Sequence, residues 1–523
     1  MLARAHAFTI EDLHTRHVTV EVDVRAGLPA FAIVGLADAT VREARERIQA
    51  AILNSGFDFP ARRITANLAP GDVRKVGPGL DLALACALLA ASGQLPREAL
   101  ERMALYGELG LDGSVRAVRG TLAVAQAARR AGMSGLALAG GHAREATLID
   151  GLRVAVVEHL RSAVRVLSGG PPDALPERRH AEAEERRTHV ARQLDQRDLA
   201  PGAPEPDLSD VRGQRHAVRA IVIAAAGAHN LLLSGPPGTG KSMLAQRLPS
   251  ILPPMSTAEA IEVTRIHSLT GARVEQLVAR RPFRAPHHSI TAAGLVGGAS
   301  RGWVGEVVLA NHGVLFLDEL SEFSRSTLEA LRQPLEDGRV AIARARHSAL
   351  YPARFMLVAA TNPCPCGYAG DGERCSCSEA DMARHRRRLS GPLLDRIDLL
   401  ASLGRERERD TRASAPICSE QARERVAGAR ERQVARLSDE GVTVNAQMDA
   451  RMLRAHVKLE ERGERMLRAA CRQGLLSARG EHRVLRVAQT IADLNGSQRV
   501  RAHDVGAALA MRPDVSLARS RAA

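Results

Sequence analysis

Residues 231–244 read LLLSGPPGTGKSML, an apolar strand that runs directly into Gly235-Pro-Pro-Gly-Thr-Gly-Lys-Ser242 and on into a helix. A loop of this pattern, with a strand before it and a helix after it, belongs to an α/β core and is built for phosphate. Gly235, Gly238 and Gly240 let backbone N–H groups wrap an anion, with Pro236, Pro237 and Thr239 shaping the turn, and the helix N-terminus adds a favourable dipole. Lys241 can reach the β- and γ-phosphates as a point charge, and Ser242 can hold Mg²⁺. Only Lys75, Lys241 and Lys458 are lysines among 73 basic residues. A composition so biased to arginine would tend to erode an idle lysine at 241.

A phosphate loop needs a metal ligand and a base further along the chain. Gly313–Leu320, GVLFLDEL, supplies both, because its apolar residues make a buried strand that ends in Asp318-Glu319. Asp318 can hold Mg²⁺ and Glu319 can orient or deprotonate an attacking water. A third strand, Phe355–Ala360, ends in Thr361-Asn362, where Asn362 can polarise the water or read the γ-phosphate.

At 523 residues the chain has room for several domains. Residues 1–168 alternate strand-like and helical stretches: Val18–Val24 reads as a strand, Val41–Asn54 and Leu80–Ala91 as helices. Residues 169–207 are rich in proline and charge and read as an exposed linker. Residues 208–404 alternate strands and helices, and residues 405–523 carry the helical periodicity of an all-α domain. The net charge of +14 favours a polyanionic partner. Aromatic residues are only 2% of the chain, so contacts with nucleic acid should lean on arginine and backbone phosphates. The N-terminus lacks a continuous apolar segment and no window approaches a membrane span, which points to the cytoplasm.

The stretches 210–242, 281–298, 315–323 and 359–399 together resemble the AAA+ ATPases, and within them the magnesium-chelatase-like branch that includes bacterial competence ATPases. The resemblance covers the chain apart from the linker. It implies an AAA+ P-loop core with a helical lid, which binds and hydrolyses ATP with Mg²⁺. It carries Gly213 and Gln214 onto the segment that cradles the adenine, and Arg396 onto the arginine finger that enters a neighbouring subunit's site. Arg479 matches the lid's sensor arginine, with Arg486 as its nearest competitor. A finger acting in trans implies a ring, by resemblance a hexamer. The activity expected on this footing is a motor on branched or single-stranded DNA that serves branch migration in recombination and natural transformation, with a recombinase as a candidate partner. The rivals are a magnesium-chelatase subunit acting on a porphyrin and a protein unfoldase.

Residues 75–90 and 106–132 resemble the α+β Lon-protease-type domain. Gly79 falls where its serine should sit and Leu122 where its lysine should, while Lys75 lies in the wrong turn. The catalytic dyad is therefore missing, and a scaffold or substrate-handling role is expected. Cys364, Cys366, Cys375 and Cys377 lie on a short glycine-containing loop and can either close a tetrahedral Zn²⁺ site or stay as reduced thiols. Residues 338–354, GRVAIARARHSALYPAR, read as a β-hairpin with Arg344, Arg346 and His347 near its tip, the expected DNA grip. Residues 281–301, with His287 and His288, are a second candidate pore element. The paired histidines have no carboxylate or cysteine close in sequence to complete a metal site.

Overall fold

The computed structural model describes residues 1–11, 14–175, 206–269, 276–298, 304–343, 348–369, 374–388, 391–404 and 417–512. Most of the expected linker, and the hairpin tip with Arg344, Arg346 and His347, lie outside the described residues. The chain divides into two compact units, Met1–Asp195 with Ala260–Val278, and Gln196–Glu259 with Ala279–Ala523. The sequence reading put Ala260–Val278 inside the nucleotide-binding core, but its packing assigns it to the first unit. There Ser268 Oγ donates to the buried Glu145 carboxylate at 2.7 Å.

The first unit is a seven-stranded mixed sheet. Its strands are β1 (Leu2–Glu11), β2 (His14–Arg25), β3 (Ala30–Val34), β4 (Arg63–Ala69) and β5 (Met103–Tyr106). A small hairpin of β6 (Glu108–Leu109) and β7 (Val115–Arg116) follows, then β8 (Gly135–Leu138) and β9 (Arg153–Val156). The sheet order is β3-β4-β2-β1-β5-β8-β9. The expected strand at Val18–Val24 lies within β2, whose valines are buried on alternate positions. The helix Ala39–Asn54 starts at Asp38, whose side chain accepts from Val41 N at 2.8 Å. The helix Asp81–Ala91 is buried all round, as an unbroken apolar sequence requires.

The second unit carries the phosphate loop on a five-stranded parallel sheet. Its strands are β10 (Leu231–Ser234), β11 (Phe283–Arg284), β12 (Val314–Leu317), β15 (Met356–Thr361) and β16 (Leu399–Ser402), in the order β11-β12-β15-β10-β16. Between β12 and β15 the hairpin expected at 338–354 is present as β13 (Arg339–Ala343) and β14 (Ser348–Pro352), paired antiparallel. Every residue of β12 and β15 is buried, because helices cover both faces of a parallel sheet. The chain leaves β10 towards one side of the sheet and returns to β16 on the other, so the loop after β10 opens at a switch point.

Within 417–512 the secondary structure is helical, with the helices Ser419–Leu437, Ala450–His456, Glu461–Arg472, Ala478–Leu494 and Ala502–Ala510. Val426, Ala429, Val484, Val487 and Ile491 share one apolar core with Ala220, Ile221 and the buried side of β10. Among the described residues no helix is long and apolar enough to cross a membrane.

Candidate nucleotide site

Three strand ends meet at the carboxyl edge of the second sheet. β10 delivers the loop, with Gly238 at φ 76° and Gly240 at φ 87°, backbone that favours glycine. Gly235 leaves no room for a side chain, since a Cβ there would lie 2.5 Å from the Leu403 carbonyl. The helix that follows, Lys241–Ala245, starts at the lysine itself. Lys241 Nζ donates to the carbonyls of Gly235 (2.6 Å) and Pro236 (2.9 Å) and to Asn362 Oδ1 (3.0 Å). Burial lowers the lysine's pKa, against the charges of Asp318 and Glu319, which raise it. The ammonium is thus tethered by its own loop and by the end of β15, and an incoming phosphate would exchange for those carbonyls.

Ser242 Oγ donates to Asp318 Oδ2 at 2.6 Å, so β12 and the loop bring together two hard oxygen ligands of the kind Mg²⁺ takes. Asp318 Oδ1 accepts from Glu319 N at 3.0 Å. Glu319 adopts a left-handed backbone at φ 52°, uncommon for a residue with a side chain, and its carboxylate is exposed. His288 faces it, with Nδ1 3.9 Å from Glu319 Oε2. Residues 281–301 were expected as a second candidate pore element. Within this stretch Phe283–Arg284 forms β11, an edge strand of the core sheet paired with β12, and His288 follows it towards Glu319. Separation in sequence hid this pairing.

A cavity of about 470 Å³ adjoins the loop, lined among others by Val211, Gln214, Pro237, Met243, Leu403 and Gly404. Gln214, itself at φ 48°, donates to the Gly404 carbonyl at 2.6 Å, and Gly213 precedes it at φ 67°. The lining, which mixes apolar side chains with backbone and with the polar side chains of Arg212, Gln214 and Thr239, is open onto the loop and can take a nucleotide base.

The two arginines lie elsewhere. Asn230, the residue before β10, fixes the segment that carries Arg396. Its Nδ2 donates to the Arg396 carbonyl (2.9 Å), its Oδ1 accepts from Leu357 N of β15 (2.9 Å), and its N–H reaches Asp398 Oδ2 (3.2 Å). This cluster is at the amino edge of the sheet. Four residues of β10 separate it from the phosphate loop, about 13 Å at the usual strand rise. Arg396 pairs with Glu336, and its pKa is lowered by burial and then by the charges of Arg332 and Arg479. Arg479 is therefore a neighbour of Arg396, and it is exposed at the start of the helix Ala478–Leu494. Arg486 is occupied otherwise. Burial raises the Asp398 carboxyl, but His229, Arg486 and Arg483 more than offset this and hold it below its ordinary value. Arg486 thus balances a buried acid, while Arg479 is left facing solvent.

The four cysteines converge, with all four sulfurs within 4.8 Å of one another. Among the described residues they are the one group of three or more such side chains arranged to hold a metal. In the first unit, Gly79 and Leu122 are both buried. A Cβ on Gly79 would lie 2.3 Å from the Tyr106 ring, and Leu122 is fully buried in an apolar cluster with Tyr106 and Val124. Lys75 is buried with its ammonium on the Pro70 carbonyl.

Three family models match the chain: magnesium chelatase, subunit ChlI, over residues 207–411, the subunit ChlI of Mg-chelatase over 20–141, and the ChlI C-terminal domain over 417–512. The competence protein ComM of Haemophilus influenzae is 41% identical, covering 96% of this chain and 95% of its own. YifB of Escherichia coli is 42% identical over 92% of this chain and 91% of its own. The 38 kDa magnesium-chelatase subunit of Cereibacter sphaeroides is 26% identical over 30% of this chain and 52% of its own.

Proposed function

This chain belongs to the magnesium-chelatase-like ATPase family of YifB and ComM, and we propose that it is an ATP-driven ring motor on branched or single-stranded DNA that promotes branch migration in recombination and natural transformation. The observation that carries the ATPase is the convergence of Lys241, Ser242, Asp318, Glu319 and Asn362 at three adjacent strand ends. Lys241 binds the β- and γ-phosphates after leaving the loop carbonyls. Ser242 and Asp318 hold Mg²⁺, which when bound neutralises charge on the phosphates. Glu319 takes the proton of the attacking water, and Asn362 positions that water against the γ-phosphate.

The positions of Arg396 and Arg479 support assembly. Arg396 is carried at the sheet edge opposite its own phosphate loop, and Arg479 is close enough to act on its charge, which supports a phosphoryl-stabilising arginine supplied by a neighbouring copy. That is the requirement of a closed ring, and a hexamer is the size we propose. The charge of +14 and the competence role in ComM's name support DNA as the track. A porphyrin-metallating role is the weaker reading, since the 38 kDa magnesium-chelatase subunit aligns with 30% of this chain whereas ComM aligns with 96% of it. Gly79 and Leu122 support a first unit that is a scaffold without peptidase chemistry.

The test is ATP hydrolysis measured alone, with single-stranded DNA, with a four-way junction, and with a porphyrin. Stimulation by the junction or single strand is expected. Stimulation by porphyrin alone would transfer the assignment to a chelatase. In the same assay Lys241→Ala should lose nucleotide binding, whereas Glu319→Gln should bind ATP and turn it over about a hundredfold more slowly or worse.

A further inference from the structure

The cysteine loop is attached to the phosphate site at two points, and this gives it a role beyond local stability. Cys364 Sγ lies 3.3 Å from Cys366 Sγ and 3.8 Å from Cys375 Sγ, and Cys366 Sγ lies 3.7 Å from Cys375 Sγ. A disulfide needs about 2.05 Å, so none of these pairs is bonded. Four thiolates at about 2.3 Å from one Zn²⁺ stand about 3.8 Å apart at the corners of a tetrahedron, which is the scale of these separations. Backbone N–H groups already point at the sulfurs, Ala369 N to Cys364 Sγ at 3.2 Å and Cys366 N to Cys377 Sγ at 3.4 Å. Such donors stabilise the negative charge that metal-bound thiolates carry.

The first attachment is Gly367, at φ 86°, one residue past the second cysteine. A Cβ built there would lie 2.6 Å from Pro237 Cδ and 2.9 Å from its Cγ, so the cysteine loop rests directly on the phosphate loop. The second is Asn362, two residues before Cys364. Its side chain holds Lys241, and its carbonyl pairs at 2.9 Å with the buried His385 of the helix Glu379–Arg388, which follows Cys377. The chain therefore enters the cysteine cage at Asn362 and comes back to the same residue on leaving it.

We propose that the four cysteines hold one Zn²⁺ ion and that this ion sets the conformation of the phosphate loop through the Gly367–Pro237 contact and the Asn362–Lys241 bond. Without the ion, four thiols in one small volume are held only by weak hydrogen bonds to sulfur. The loop then loses its support beneath Pro237, and Asn362 loses its fixed position. Zinc loss thus weakens nucleotide binding before it unfolds the protein. The nucleotide half of this inference rests on ATP occupying the Lys241 loop, whereas the zinc content does not.

The experiment uses the full chain. Elemental analysis should find one zinc per chain in wild type and almost none in Cys375→Ser with Cys377→Ser. That variant should keep its helical circular dichroism and bind a fluorescent ATP analogue at least tenfold more weakly. Gly367→Ala, which forces a side chain against Pro237 at a left-handed backbone, should retain zinc and weaken the analogue to a similar degree. If the double variant does not fold, Gly367→Ala carries the coupling test by itself. Wild type without zinc would overturn the metal site. Zinc-free folded protein, or Gly367→Ala, binding the analogue as wild type does would overturn the coupling. Wild type that holds zinc but binds no nucleotide would leave the metal standing and instead remove the ATPase reading.

Discussion

Gly79 is the residue on which a peptidase reading of the first unit turns. Its α-carbon is packed against the Tyr106 ring, whose hydroxyl donates to the Arg119 carbonyl at 2.9 Å, so the ring cannot readily swing away. Gly79→Ser should therefore cost about 1–3 kcal/mol through overpacking and yield no peptidase activity, measured by thermal unfolding and a peptide substrate. A second residue whose effect has a definite sign is Glu259. Burial raises its carboxyl, but His312 and Arg281 more than offset this and bring it down from 4.5 to about 2. Because the folded value is depressed, its contribution to stability is present above about pH 4.5 and is lost as the pH falls towards 2. Glu259→Gln should lower the unfolding midpoint at pH 7, with that gap narrowed at pH 3 and closed only below about pH 2. An equal gap at pH 7 and pH 3 would remove the charge from the explanation. Single residues also mark the limit of sequence reading. Lys241, Ser242, Asp318 and Glu319 were legible because a motif fixes their spacing. His288 was not, because only β11–β12 pairing brings it to Glu319. Arg479 and Arg486 sit on one helix and could be separated only by burial beside Asp398.

At the scale of elements, strands with both faces buried announced themselves. VLFL in β12 and MLVAAT in β15 are unbroken apolar runs, and the hairpin β13–β14 was visible from its alternation and turn. The two-residue β11 carries no such signal, and neither does Asn230, which ties three segments together through a single amide. Asn230 bonds the Arg396 carbonyl and Leu357 of the strand that leads into Asn362, so the proposed finger and the proposed water-positioning Asn362 hang from one side chain. This gives a prediction for mixed assemblies. Arg396→Ala mixed with Lys241→Ala should recover part of the ATPase, since one chain offers an intact pocket and the other an intact finger. Asn230→Ala should bind nucleotide, recover activity when mixed with Lys241→Ala, and recover none when mixed with Arg396→Ala. Rescue by both partners would show that Asn230 does not serve the finger. Rescue by neither, in mixtures shown to co-assemble, would point to a general folding defect.

For the whole molecule, composition suggested a separate helical domain after residue 404, and the described helices do follow. Their packing makes them part of the nucleotide-binding unit. Gln433 Nε2 donates to the Ala226 carbonyl at 3.0 Å, Arg430 Nη2 to Ala225 at 2.7 Å, and the fully buried His229 meets Thr490 Oγ1 at 2.8 Å. Periodicity marks where a helix is, not which core its apolar face joins, so this fusion was not legible. At the heart of the helical part Asp493 accepts from Arg436 (2.9 and 2.7 Å), Asn445 (2.8 Å) and Gln489 (3.0 Å), almost wholly out of water. Removing one partner of such a buried network leaves the others uncompensated, at a cost of about 3–5 kcal/mol. Asp493 makes none of the described contacts with the phosphate loop. If the helices and the sheet unfold as one body, Asp493→Ala should lower the midpoint of the same thermal transition that ATP with Mg²⁺ raises, since a ligand that binds only the folded form stabilises every residue that folds with it. Calorimetry of wild type and Asp493→Ala, each with and without nucleotide, separates the cases. A transition that nucleotide shifts but Asp493→Ala leaves in place would mean that the helices melt on their own, and that the shared core does not transmit the state of the nucleotide site to them.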